Sequence, residues 1–170
     1  MTNKYCIGID VGVSGGIAVV QKNKIMEWHQ VPNDWEKLKT KSKAGNVRRR
    51  RKINIIKLLA LLNDLRERYG TINCYIEKVG AMPNQGSVSG FHFGEAYGIT
   101  KAMVQAAGFN VSLVRPQDWK KSYNYKLKEK NDSCNLVGYL YGLDIKDHNI
   151  CDAILIALYG CKLQAKKSPQ

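Results

Sequence analysis

"YCIGIDVGVSGGIAVVQKNKIMEWHQV", Tyr5 to Val31, decides the fold. Three apolar stretches follow one another with only "GVSGG" and "KNK" between them. Interruptions that short, rich in glycine, asparagine and lysine, close tight hairpins. The stretch therefore reads as three consecutive strands, each antiparallel to the one before. It also carries an anomaly: Asp10 stands in "IGIDVG", and a carboxylate inside an apolar run is costly to bury without a partner.

Downstream the pattern changes period. "INIIKLLALLNDLRERYG" (53–70) places Ile53, Ile56, Leu59, Ala60 and Leu62 on an amphipathic helix, with Gly70 as its stop. "TINCYIEKV" (71–79) is a fourth strand and again holds an acid, Glu77. "FGEAYGITKAMVQAAGF" (93–109) reads as a helix ending at Gly108, and "NVSLVRP" (110–116) as a fifth strand. "NDSCNLVGYLYGL" and "DHNICDAILIALYGCKL" give two further helices, the second apolar nearly all round except for Asp152 near its start. Antiparallel strands first, then helix and strand in alternation, predict an α/β fold: a five-stranded mixed sheet flanked by helices. The 170 residues suit one domain, 1–170, with a basic loop at about 37–52 and a frayed tail at 166–170.

Composition narrows the chemistry. Twenty-seven Lys and Arg against fourteen acids leave a formal charge of +13, which predicts a polyanionic partner, above all nucleic acid. "KLKTKSKAGNVRRRRK" (37–52) concentrates nine of these cations with no acid among them, so it is expected to stay a self-repelling loop until an anion neutralises it. Within it Arg48, Arg49, Arg50, Arg51 and Lys52 are candidate DNA contacts. A second basic stretch, "QDWKKSYNYKLKEK" (117–130), adds Lys120, Lys121, Lys126, Lys128 and Lys130, with Trp119 read as a packing residue. No apolar run is long enough to span a membrane and the N-terminus has no leader pattern, so an intracellular, cytoplasmic protein is expected. The five cysteines form no CxxC pair, which argues against a structural zinc site and for reduced core thiols.

Singly, each acid has an ordinary explanation: a strand acid turned to solvent, or Asp147 or Asp152 at the positive end of a helix. Together, Asp10, Glu77 and Asp152 are three carboxylates in apolar settings, and His148 shares a helical face with Asp152. If they converge they repel, and a divalent cation relieves that. Hard oxygen donors suit Mg²⁺ or Mn²⁺. Such a cluster in a basic protein points to phosphodiester chemistry.

"GIDVGVSGG", "YIEKV" and "HNICDAILIA", in this order and at these intervals, resemble the RuvC-type Holliday junction resolvases of the RNase H-like superfamily, with the phage, poxvirus and organellar branch the most similar. The resemblance covers roughly Lys4 to Lys162. It implies an RNase H-like fold and catalytic, metal-holding roles for Asp10, Glu77, His148 and Asp152. Two Mg²⁺ ions per site are implied, with Mn²⁺ able to substitute. It also implies a homodimer that cuts four-way DNA junctions symmetrically in a bacterial or phage-infected cell and leaves religatable 5′-phosphate ends. One of the lysines at 120, 121, 126, 128 and 130 is expected near the cut phosphate.

The final helix departs from the bacterial pattern: the position three before Asp152 is Asn149, and His148 stands four before, as ligand or as base near the attacking water, with Asp147 the alternative to it. The resemblance to bacterial members also implies an aromatic shortly after Glu77 that wedges into the junction; Val79 and Gly80 stand there instead, so Phe91 or Phe93 is the candidate DNA-contacting wedge. In the glycine-rich stretch "GAMPNQGSVSGFHFG" (80–94), Asn84 and Gln85 are candidates for reading base edges. Other readings stay open: an RNase H-like nuclease for RNA–DNA hybrids or branched DNA, or a junction-binding protein that does not cut. "DVGVSGG" also resembles the phosphate hairpin of actin-like sugar kinases, which require a second domain of similar size.

Overall fold

The computed structural model describes residues 5–80 and 86–167. Its main sheet has five strands in the order β3-β2-β1-β6-β7, and a separate two-stranded sheet is made of β4 and β5. The first three, β1 (Tyr5–Asp10), β2 (Gly16–Gln21) and β3 (Lys24–Gln30), run antiparallel as the short turns require. After the hairpin of β4 (Asn33–Lys41) and β5 (Val47–Ile53), helix α1 (Ile55–Tyr69) crosses back over the sheet. Strand β6 (Asn73–Glu77) then lies parallel to β1, and β7 (Asn110–Val114) parallel to β6, with α2 (Ser87–Ala106) between them. The short α3 (Pro116–Lys121), α4 (Asp132–Tyr141) and α5 (His148–Lys167) complete the chain.

Alternation along β1 divides the interior. Ile7 and Ile9 face one way, into a cluster with Leu58, Leu62 and Leu65 of α1 and Ala96 and Val104 of α2. Cys6 faces the other, into a cluster with Trp119, Leu136 and the apolar residues of α5. Helices thus cover both faces, and β1, the middle strand, is buried from Cys6 to Ile9.

Three expectations need correction. Residues 37–52 are not a loop: most of them lie in β4 and β5, paired from Asn33↔Ile53 to Lys41↔Val47. Backbone pairing and cross-strand partners such as Glu36–Arg50, 2.8 Å apart, hold the segment despite its charge. Helix α2 starts at Ser87, six residues earlier than its apolar period suggested, so half of the glycine-rich stretch is helical. The final helix continues through Lys166 and Lys167, so the proposed frayed tail is helical that far; the remaining residues lie outside those described. The short α3 had no counterpart in the sequence reading, whereas Gly70 does end α1. Among the described residues no helix is long and apolar enough to cross a membrane.

Candidate active site and nucleic-acid interface

The three acids meet at one end of the sheet for reasons visible in its register. Ile9 pairs with Ile76, so one step further Asp10 comes beside Glu77. Along β1, Asp10 shares the parity of Cys6, and on β6 Glu77 shares the parity of Tyr75. Cys6 and Tyr75 both belong to the cluster on the α5 side, so both carboxylates are directed to that side. There α5 supplies His148 at its first residue and Asp152 one turn later.

Two glycines bring the helix close enough. A Cβ on Gly8 would lie 2.2 Å from the Ala153 carbonyl oxygen, and one on Gly16 would lie 2.4 Å from that of Asn149. Only the bare backbone of β1 and β2 admits the first turns of α5 at this distance.

Electrostatics reports the convergence. Burial, then the charges of Asp152 and Glu77, push the Asp10 carboxyl from its ordinary 3.8 up to about 8. Burial also raises Glu77 and Asp152, and Asp152 adds to the rise at Glu77. Two neutral groups oppose this. The indole Nε1 of Trp119 donates to Glu77 Oε1 at 2.9 Å, and the Ser133 hydroxyl donates to Asp152. One cation acts on all three acids, pulling each back toward ionisation: Lys120, the residue after Trp119 on α3. His148 acts on Asp152 in the same sense.

As they stand, among the described residues, no three His, Cys, Asp or Glu side chains are drawn tightly enough to enclose an ion. Trp119 and Ser133 hold Glu77 and Asp152 instead. The donor chemistry nevertheless fits Mg²⁺ or Mn²⁺: three carboxylates, desolvated and repelling one another, are stabilised by adding positive charge.

Sequence reasoning named the acids but not their holders. Trp119 was read as packing, and it is fully buried, yet its N–H positions Glu77. Ser133 drew no notice, because a serine at a helix start is commonplace. Asp147, the alternative to His148 in the sequence, caps α5, its carboxylate accepting from the Asn149 backbone N–H at 2.9 Å, and its charge also helps to raise Asp10. Among the lysines, Lys120 is the one whose charge acts on all three acids. Lys121, Lys126, Lys128 and Lys130 are exposed, and the charge of Lys126 acts on Asp132.

The basic residues form a second assembly beside the first. Arg51 donates to the Ser14 hydroxyl at 2.7 Å, tying β5 to the turn that follows Asp10. Arg50 is occupied by Glu36 and His92. Arg48, Arg49 and Lys52 are exposed, and no hydrogen bond or ion pair holds Arg48 or Arg49 among the described residues. Of the two candidate phenylalanines, Phe93 packs against the core while Phe91 stands 72% exposed on α2. Asn84 and Gln85 lie outside the described residues.

No family model matches this sequence, and no curated protein matches it. Solved structures do match. T. thermophilus RuvC in complex with a Holliday junction substrate is 18% identical, with 95% of each chain covered and a TM-score of 0.65. A second Thermus thermophilus RuvC structure is 16% identical over 95% of this chain and 96% of that one, at 0.58. The yeast mitochondrial Holliday junction resolvase Ydc2 is 14% identical over 97% of this chain and 80% of its own, at 0.56. The chain therefore has the RuvC-like, RNase H-like fold expected from its sequence.

Proposed function

We propose that the protein is a metal-dependent endonuclease that resolves four-way DNA junctions by paired, symmetric cuts, with residues 1–170 as a single nuclease domain. The observation that carries this reading is the set of three desolvated, mutually repelling carboxylates beside Lys120, at the end of a RuvC-like sheet. Asp10, Glu77 and Asp152 would hold two Mg²⁺ ions, or Mn²⁺, with His148 as a further ligand. When bound, such a pair activates a water and stabilises the departing oxygen of an in-line displacement.

The chain's own groups do the rest. Trp119 and Ser133 fix the orientation of Glu77 and Asp152, so little reorganisation accompanies the reaction. Lys120 offsets the charge that accumulates on the attacked phosphate. In place of ligation, His148, one turn from Asp152, would take a proton from the attacking water. Paired cuts on a two-fold substrate call for two such sites related by two-fold symmetry, hence a homodimer. Exposed Val88 and Phe91 on α2, and Ile55 and Ile56 at the start of α1, offer apolar surface for that pairing. A cytoplasmic site of action, in a bacterial or phage-infected cell, is consistent with the role.

The test is purified protein with a mobile four-way junction, a Y-fork and an RNA–DNA hybrid, each with and without Mg²⁺. Cleavage confined to the junction in Mg²⁺ is the expected result, with 5′-phosphate ends at symmetric positions. Preferred cutting of the hybrid would replace the reading with a hybrid nuclease, and tight junction binding without cutting in any metal would leave a binding protein. In the same preparation, replacing Arg48 and Arg49 together with alanine should weaken junction binding and reduce the steepness of its salt dependence by up to about 2 in log–log slope. An unchanged slope would remove these two residues from the interface.

A further inference from the structure

The β4–β5 hairpin has two unlike faces. Across the pair Asp34 opposes Lys52 and Glu36 opposes Arg50, while Trp35 opposes Arg51 and Lys37 opposes Arg49. Side chains alternate along a strand, so both acids of the hairpin fall on one face. There Glu36 accepts from Arg50 at 2.8 Å, and Asp34 accepts from Asn54 and from Lys57. The opposite face keeps Trp35, Lys37, Arg49 and Arg51, with no carboxylate among them.

That second face is poorly suited to the protein on its own. Lys37 and Arg49 stand directly opposite each other, an arrangement that destabilises a strand pair. Trp35 is 61% exposed, although indole is among the side chains that gain most from burial. The Arg51 guanidinium carbon sits 5.0 Å from the centroid of its ring, which still leaves most of the indole to solvent. A flat aromatic surface flanked by unneutralised cations matches a ligand that combines flat rings with regularly spaced negative charge.

We propose that Trp35 is a stacking platform for an unpaired base of DNA, with Lys37, Arg49 and Arg51 on the phosphates beside it. This rests on the nucleic-acid reading above and adds what that reading lacks, a preference for DNA whose bases are not all paired. Position supports it: Arg51 also donates to Ser14, in the turn that leaves Asp10. The platform is thereby linked, through Arg51, to the loop that begins at the first of the three acids. In an intact duplex the base faces are already stacked on one another, so the platform has nothing to hold.

The full-length chain carrying Asp10→Asn, which keeps the DNA uncut, is titrated against a duplex with a short gap containing 2-aminopurine, and against the same duplex fully paired. Adding Trp35→Ala should weaken binding to the gapped DNA about tenfold and leave binding to the paired duplex unchanged. The salt dependence on gapped DNA should persist, because indole carries no charge. Stacking should quench 2-aminopurine fluorescence with Trp35 present, lose the quench with Trp35→Ala and recover most of it with Trp35→Phe. Equal weakening on both DNAs, or a quench indifferent to Trp35→Ala, would overturn the proposal. Tighter binding to single-stranded RNA of the gap sequence would overturn its assignment to DNA. No junction and no cleavage enter this measurement, so its failure is distinct from failure of the resolvase reading.

Discussion

Asp10→Asn should leave the metal-free protein harder to melt while ending strand cleavage. The Asp10 carboxyl, pushed up to about 8 by burial, Asp152 and Glu77, keeps its proton in the folded chain where the unfolded chain has released it. Between 3.8 and about 8 the native state therefore binds more protons, and the free energy of unfolding falls as pH rises through that window. The loss is on the order of 3 kcal/mol once relaxation and water entry are allowed for. Asparagine escapes it. In EDTA the melting temperature of Asp10→Asn should exceed the parent's by a margin that is small near pH 4 and grows to about 5–10 °C by pH 8–9. Added Mg²⁺ should raise the melting point of the parent and not of the variant, and cleavage should fall by at least about 1000-fold with junction binding retained. A variant that melts earlier than the parent at every pH would mark Asp10 as a structural acid.

Lys120→Gln should separate metal binding from catalysis. Lys120 is the cation that draws all three carboxylates toward ionisation, so it occupies part of the electrostatic role that an added ion would take. Without it, half-saturation by Mn²⁺ should occur at lower concentration, since one repelling charge is gone. Turnover at saturating metal should nonetheless drop about 100-fold, because a preorganised positive charge near the attacked phosphate acts more strongly on the transition state than on the ground state. Unaltered turnover under those conditions would confine Lys120 to relieving repulsion among the acids. Lys121→Gln, the exposed neighbour, serves as the control.

The acids were legible because each broke an apolar pattern: a carboxylate in "IGIDVG", in "CYIEKV" and in "HNICDAILIA" has to be explained by something outside its own segment. Their holders were not. Trp119 and Glu77 lie 42 residues apart, and a buried tryptophan looks the same in sequence whether or not its N–H is used. The β4–β5 hairpin was hidden by composition. A strand is recognised by alternating hydrophobicity, and this segment alternates charge with charge, its order coming from main-chain pairing and from Glu36–Arg50 and Trp35–Arg51. The early start of α2 was hidden too, since "SVSGF" holds a glycine and a β-branched residue, both weak helix formers.

Where α5 rests on Gly8 and Gly16 there is no side chain to act as a cushion. Strand and helix are in backbone-to-backbone contact, so the parts of the catalytic group drawn from opposite ends of the polypeptide are mounted on one rigid piece. Position 8 consequently behaves as a spacer gauge: a single methyl group there lifts the helix and with it the last carboxylate, at a residue that touches neither substrate nor ion. Functional intolerance at such a site would be misread as a folding defect by anyone looking only at distance from the chemistry.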